Sequence, residues 1–454
     1  MGLSIVILAA GVGSRLKSKT PKVLHTVGGK PLLQHVLETA KALNPSNIFV
    51  VVGREAKAIK ARFEDENVTW VMQSDPKGTG DAVLKALPGI KDERVMILYG
   101  DVPLVLPSTL AKLTQEPEGV SMLTVSLEDP FGYGRILRNH QGDIKCIIEQ
   151  KDATDAELEI REVNTGLFVL PASKLKKWLP QLSNKNASGE YYLTDVIGLA
   201  VRDKVSIHVE TTLIEEEIFG VNTKAQLAVL EGFYQSLQAE RLMDEGLTLR
   251  DPGRFDLRGE LTVEKDVVFD ANVVCEGNVS IGEGSVIGPN VVLKDVTIGK
   301  NVTVRAFSHI EDATVKENAI IGPFARIRPE SVIEENAHIG NFVEIKKSVI
   351  GKGTKVNHLS YVGDATLGDN VNVGAGTITC NYDGVNKHKT QVGDNVFIGS
   401  NTALVAPISV GDNATIGAGS TLNKDVPQDQ LTVSRSPQRS VASWKRPEKE
   451  KDLS

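Results

Sequence analysis

Residues 315–345 read VKENAIIGPFARIRPESVIEENAHIGNFVEI, and every sixth position is aliphatic: Val315, Ile321, Ile327, Ile333, Ile339 and Ile345. A second unbroken series runs Val392, Ile398, Leu404, Val410, Ile416 and Leu422. Around the anchors the pattern is an aliphatic residue, usually Gly, two variable residues, then a small or β-branched one, as in Ile281-Gly282-Glu283-Gly284-Ser285 and Val373-Gly374-Ala375-Gly376-Thr377. A period of six fits neither a helix face nor an alternating strand. It describes a chain that turns a corner every six residues, with the anchor pointing inward and Gly or Asn accepting the bends. Three hexads close one coil, so residues 260–430 predict roughly nine coils stacked at a strand spacing of ~4.8 Å. The alternative, a β-sandwich with Gly-rich turns, would alternate with period two in separate strands. The repeat breaks once, at Thr379 to Gln391 (TCNYDGVNKHKTQ), which predicts a projecting loop where function is expected.

Ahead of the repeats, residues 4 to about 220 alternate short apolar runs with helical stretches, the pattern of an α/β domain with a largely parallel sheet. Expected strands are Ile5–Ala10, Ile48–Val52 and Val95–Tyr99, and expected helices Leu32–Ala42 and Asp81–Leu87. Leu227, Leu230, Tyr234 and Leu237 then recur at helical spacing, which predicts a long helix over Thr223–Glu245 ending at Gly246. Arg250 to Gly259, with Pro252 and Gly253, reads as an irregular link.

The chain has 454 residues, 41% hydrophobic and 24% charged, which is globular in composition. No apolar run approaches the ~20 residues of a membrane span. Lys and Arg number 51 against 58 Asp and Glu, a net charge of -7, which argues against a general nucleic-acid coat but leaves room for local basic pockets that bind small anions. Cys146, Cys275 and Cys380 stand far apart with no metal-ligand spacing, as expected of reduced thiols in a cytoplasmic protein. No secretory or myristoylation signal is expected at the start of the chain.

Leu8-Ala9-Ala10-Gly11-Val12-Gly13-Ser14-Arg15 places a buried strand before a glycine-rich turn. Gly11 and Gly13 let backbone N–H groups approach a phosphate chain, and Arg15 and Lys22 (in Pro21-Lys22-Val23-Leu24) add positive charge. The turn lacks both the Gly-Lys-Ser/Thr of a Walker loop and the third glycine of a dinucleotide fingerprint.

GxGxR after a strand, followed by PKxL, resembles the sugar-nucleotide pyrophosphorylases. Further motifs follow in that family's order: Gln73 and Gly78-Thr79-Gly80, Tyr99-Gly100-Asp101-Val102-Pro103, Gly132-Tyr133-Gly134-Arg135, Glu149-Gln150-Lys151-Asp152, Asn164-Thr165-Gly166 and Gly220-Val221-Asn222. With the hexapeptide repeats behind it, residues 4–446 resemble the bacterial bifunctional family of N-acetylglucosamine-1-phosphate uridyltransferases and glucosamine-1-phosphate acetyltransferases.

That resemblance implies a Rossmann-like α/β nucleotidyltransferase domain (1–222), a linker helix (223–250), a left-handed parallel β-helix of hexapeptide repeats (251–434) and a tail (435–454). It implies that Leu8, Ala9, Ala10, Gly11, Gln73, Gly78 and Thr79 hold uracil and ribose, and that Gly134, Glu149 and Asn164 hold the amino sugar. The resemblance also implies that Tyr99, Gly100 and Asp101 belong to the same substrate site. Asp101 and Asn222 would be the ligands of Mg²⁺, with Arg15 and Lys22 stabilising the triphosphate of UTP. Otherwise Asp101 would be a turn-capping carboxylate and Asn222 a helix N-cap.

In the repeats, Arg328, Lys346, His358, Tyr361, Asn372, Asn381 and Tyr382 match acetyltransferase motifs, and Ala375, Ser400, Ala418 and Arg435 match acetyl-CoA contacts. An amine attacking a thioester sheds a proton, so a base with a pKa near 7 helps, and His358 suits that role. By family likeness Glu344 would orient its imidazole, Arg328 and Lys346 would neutralise the sugar phosphate, and Tyr361 and Asn372 would bind the sugar. Arg439, Lys445, Arg446, Lys449 and Lys451 continue a mixed-charge tail beyond Arg435. A cytoplasmic homotrimer is implied, with neither nucleic acid nor membrane as partner. Two rival readings remain: a single-activity pyrophosphorylase whose β-helix serves assembly or regulation, and a non-catalytic sugar-nucleotide sensor.

Overall fold

The computed structural model describes residues 2–116 and 118–447. Lys449 and Lys451 lie outside the described residues. The chain forms two compact units divided between Leu237 and Gln238, inside the helix Lys224–Asp244. The expected linker helix is therefore shared between the units.

The first unit is built on seven strands: β1 (Leu3–Ala9), β2 (Asn47–Val52), β3 (Thr69–Met72), β4 (Arg94–Tyr99), β5 (Val120–Ser126), β6 (Glu162–Pro171) and β7 (Ile207–Thr211). Their order across the sheet is β7-β5-β6-β4-β1-β2-β3, with a hairpin, Arg135–Arg138 and Ile144–Ile148, attached to β6. Six consecutive residues of β1 are buried, because helices cover both faces of a central parallel strand. Alternate side chains serve two cores: Val6, Leu8 and Ile97 on one face, Ile5, Ile7 and Leu98 on the other. The sheet is mixed, since β6 runs antiparallel to β4 and β5. β1 pairs in parallel with β2 on one side and β4 on the other, so the chain reverses direction across the sheet at β1. A crevice forms at such a switch point, beyond the carboxyl ends of the strands. The helix over Leu32–Ala42 has the expected bounds, whereas that expected over Asp81–Leu87 runs Thr79–Ala86.

The second unit is a prism of parallel strands. Val315, Ile321, Ile327, Ile333, Ile339 and Ile345 are each 0% exposed, and the series from Val392 to Leu422 is buried as well. Val286 stands over Val268, eighteen residues on, and Thr303 over Val286, seventeen on. One wall holds eleven stacked strands from Thr248–Leu249 to Leu431–Thr432, so the stack is taller than the expected nine coils. The supposed link is already wall: Phe255–Val263 pairs along its whole length with Val273–Ile281. Those long early strands run through a corner, and His309–Val315 then pairs with two shorter strands, Arg326–Ile327 and Ser331–Ile333, which separate the other two walls.

Corners need a left-handed backbone, and Asn or Gly fills most of them, as at Asn318, Asn336, Gly353 and Asn370. A second corner begins the same way with Asn272 and Asn290 but then carries Phe307, Phe324, Phe342 and Leu359, all at positive φ. The loop Thr379–Gln391 is shorter than expected, because its stems stay in the wall. Thr379 Oγ1 bonds both the N–H and the carbonyl of Gly363, and only Asn381–Lys389 leaves the ladder.

Candidate active sites

At the ends of β1 and β4 lies a cavity of about 460 Å³ lined by Leu8, Ala9, Ala10, Gly11, Arg15, Lys22, Gln73, Gly78, Thr79, Tyr99, Asp101 and Asn222, with Pro76 and Glu190, which sequence reasoning missed. No atom lies within 4 Å of where a Cβ on Gly11 would stand, so its backbone is open to a ligand. Gly13, at φ +64°, packs on the stem of Lys22, and a Cβ there would meet Lys22 Cβ at 2.7 Å. Gln73 donates to the Gly78 carbonyl (3.1 Å) and to Asp81 Oδ2 (2.8 Å), which fixes the turn before Thr79. Gly78, at φ +112°, lies against Tyr191, whose carbonyl a Cβ would approach to 2.6 Å.

Asp101 follows β4, and its backbone carbonyl accepts the Val221 N–H at 2.9 Å, bringing Asn222 alongside. The Lys22 ammonium pairs with Asp101 Oδ2 and donates to Asn222 Oδ1 at 2.8 Å. Two side-chain oxygens thus converge on one cation, an arrangement that fits a hard metal ion bound through two protein oxygens plus substrate phosphates. The N-cap alternative for Asn222 is displaced by Thr223, whose hydroxyl accepts the Gln226 N–H (3.2 Å) while Gln226 Oε1 accepts the Thr223 N–H (3.1 Å). Arg15 is exposed at the mouth.

Gly134, Glu149 and Asn164 adjoin one another outside that lining. The Asn164 N–H donates to the Gly134 carbonyl at 2.8 Å, and a Cβ on Gly134 would lie 3.5 Å from both Glu149 carboxylate oxygens. Burial raises the Glu149 carboxyl above the usual range despite the Thr194 hydroxyl, which donates to it at 2.8 Å. Burial likewise raises the Tyr99 hydroxyl, which senses both Glu149 and Asp101. Tyr99 thus bridges the two groups of residues. Gly100 packs against Ala9 and Val23, holding the Asp101 turn close to β1.

On the prism, Arg328 donates to Glu344 Oε1 (2.8 Å), and Lys346 pairs with Asp364 (3.2 Å). Asn381 donates to Asp364 and, at 3.4 Å, to the Tyr361 hydroxyl. The loop adds Lys387, whose ammonium is held below the ordinary lysine range by the like charge of Lys346 beside it. Tyr382 is exposed, its hydroxyl donating to the Gly384 carbonyl at 2.5 Å.

His358 lies around the corner from Tyr361, exposed, with Leu359 between the two walls. Within the chain Glu344 does not reach it: Glu344 aligns with Tyr361 on the far side of the corner and is engaged by Arg328. His358 Nδ1 instead stands 3.0 Å from Asn341 Oδ1, its register partner one coil below.

Asn341, His358, Ala375, Ser400 and Ala418 form one column, each immediately before the same corner. In each step the N–H following one member meets the carbonyl of the member below: Leu359 to Asn341 (3.1 Å), Gly376 to His358 (3.3 Å), Asn401 to Ala375 (2.7 Å) and Gly419 to Ser400 (2.8 Å). Arg435 closes the top by donating to the Ala418 carbonyl at 2.7 Å. Asn372 is on the same wall, aligned with Lys355.

Residues 5–141 match the MobA-like NTP transferase domain, 278–312 the bacterial transferase hexapeptide (six repeats) and 309–408 the GMPPB C-terminal domain. The proteins named Bifunctional protein GlmU from Marinobacter nauticus and Stutzerimonas stutzeri are 55% and 52% identical to this chain, over 98% and 99% of it and over 99% and 100% of their own lengths. That of Cellvibrio japonicus is 51% identical over 98% of this chain and 99% of its own. The chain belongs to the GlmU family. Membership spans both units of the chain, and it accounts for pyrophosphorylase motifs followed by hexapeptide repeats on one polypeptide. Asn341 and Lys387, missed by the sequence reading, stand beside His358 and Lys346.

Proposed function

We propose that this chain runs its two transfers in two separate pockets, with the residues named above in the following roles. The chain is a bifunctional enzyme of UDP-N-acetylglucosamine synthesis: it moves acetyl from acetyl-CoA to glucosamine 1-phosphate, then uridyl from UTP to N-acetylglucosamine 1-phosphate.

In uridyl transfer a phosphate oxygen of the sugar attacks the α-phosphorus, the bond to the β-phosphate breaks and pyrophosphate leaves. The attacking group is already an anion, so no base is needed, and charge neutralisation dominates. Leu8 to Gly11, Gln73, Gly78 and Thr79 hold the nucleoside, while Gly134, Glu149 and Asn164 hold the amino sugar. Lys22 and Arg15 balance the triphosphate. Asp101 and Asn222 hold Mg²⁺, which when bound neutralises phosphate charge. The observation that carries this half is the convergence of Asp101 and Asn222 on the Lys22 ammonium.

In acetyl transfer the sugar amine attacks the thioester carbonyl, the carbon–sulfur bond breaks and CoA leaves as thiolate. His358 takes the amine proton. Arg328 and Lys346, joined by Lys387, hold the sugar phosphate, and Tyr361 and Asn372 hold the ring. Acetyl-CoA follows the column of small residues Ala375, Ser400 and Ala418 from Arg435 down to His358, with Asn381 and Tyr382 completing the pocket.

A homotrimer fits the second corner. Phe307, Phe324 and Phe342 stack at 4.9 and 5.3 Å, each about half exposed, in a backbone region that bulky side chains avoid. Strained, exposed aromatics in place of Asn suit a surface covered by another copy. The three free thiols and the use of UTP and acetyl-CoA fit the cytoplasm. Measuring pyrophosphate and CoA-thiol release separately on the purified chain tests the reading. Both products are expected; release of pyrophosphate alone would favour the single-activity enzyme, and release of neither the sensor.

A further inference from the structure

We propose that Asn341 is a positioning residue for acetyl transfer, its carboxamide oxygen accepting the Nδ1 proton of His358 so that Nε2 is left as the basic nitrogen. This rests on the assignment of His358 as the base.

A neutral imidazole carries one proton on two nitrogens, and the partner of one nitrogen decides which of them stays free. Asn341 Oδ1 is 3.0 Å from His358 Nδ1. The backbone fixes this approach. Asn341 ends the strand His338–Asn341, stacks under His358 in register, and its carbonyl accepts the Leu359 N–H at 3.1 Å. Both side chains therefore leave neighbouring coils from equivalent positions before one corner. A Glu at the orienting position would also favour the charged imidazolium, whereas an amide orients the ring without adding charge. Along this edge stand Arg305, Lys355 and His338, the last held below the ordinary histidine range by burial and by its cationic neighbours. Nε2, opposite the Asn341 contact, is the nitrogen left to meet the substrate amine.

The test uses the full-length enzyme with acetyl-CoA and glucosamine 1-phosphate, following CoA-thiol release across pH, with uridyl transfer measured on the same preparation. Asn341→Leu is expected to lower kcat for acetyl transfer by about tenfold to a hundredfold, the usual effect of removing a partner that orients a functional histidine. KM for both substrates and uridyl transfer should not change. Asn341→Asp keeps an acceptor and should restore kcat at high pH, with the acid limb of the profile moved upward. Asn341→Ser, too short to reach the ring, should match Leu and covers any disturbance of the coil by the larger side chain. Wild-type kcat in the Leu and Ser variants, or an Asp variant as impaired as Leu at every pH, would overturn the proposal. His358→Gln separates the two layers. If it retains acetyl transfer, the base assignment fails; if it loses acetyl transfer while the Asn341 variants do not, only the positioning role fails.

Discussion

Lys22 and Asp101 form a largely buried ion pair in the cavity beyond β1 and β4, with Lys22 Nζ also 2.8 Å from Asn222 Oδ1. The lysine joins the two oxygens assigned to the metal. Those oxygens would hold a divalent cation, which would supply charge to neutralise phosphate beside the Lys22 ammonium. Asp101→Ala should therefore weaken Mn²⁺ binding, followed by electron paramagnetic resonance, by at least the about tenfold that loss of an outer-shell partner costs. Unchanged Mn²⁺ affinity would remove Asp101 from the metal site.

Gly13 sets the position of that lysine. A methyl group at residue 13 would sit 2.7 Å from Lys22 Cβ, on a backbone at φ +64°. Gly13→Ala should slow uridyl transfer by up to about a hundredfold, as misplaced reacting groups do, and leave acetyl transfer unchanged. A wild-type uridyl rate would show that the Lys22 stem tolerates displacement.

Glu149 ties stability to pH. Burial raises its folded pKa above the unfolded value, so its favourable contribution is full below the ordinary carboxylate pKa and is lost as pH rises through the raised one. Glu149→Gln removes that dependence. Relative to the variant, the wild-type protein should lose thermal stability as pH rises above the ordinary carboxylate pKa, and the variant should bind N-acetylglucosamine 1-phosphate less tightly. A constant difference in Tm across that rise would contradict the sign.

Much of this was legible in the sequence. The hexad anchors are all buried, and the buried run of β1 and the helix Leu32–Ala42 follow from local periodicity. The start of the prism was not, because Phe255–Val263 alternates like a flat strand while it runs through a corner. Asn341 was hidden for a different reason. Its contact with His358 joins residues seventeen apart, one coil over another, which no local motif encodes. The Phe307, Phe324 and Phe342 ladder was visible in principle at that same coil spacing, but local turn chemistry expects Asn or Gly there.

The ladder supplies the assembly test. Phe324→Glu places a charge between two stacked rings. Light scattering should show a monomer in place of a trimer, with acetyl transfer reduced and uridyl transfer retained. A trimer of unchanged mass would move the interface elsewhere.

Two chemically independent pockets in one chain are tested most directly by a paired assay of Asp101→Asn and His358→Gln. Pyrophosphate release should fall by about a hundredfold or more in the first variant alone, the scale of losing one electrostatic contact to the transition state. CoA-thiol release should fall by a similar factor in the second alone, the scale of losing a general base. Loss of both activities in either well-folded variant, or of neither, would contradict that independence.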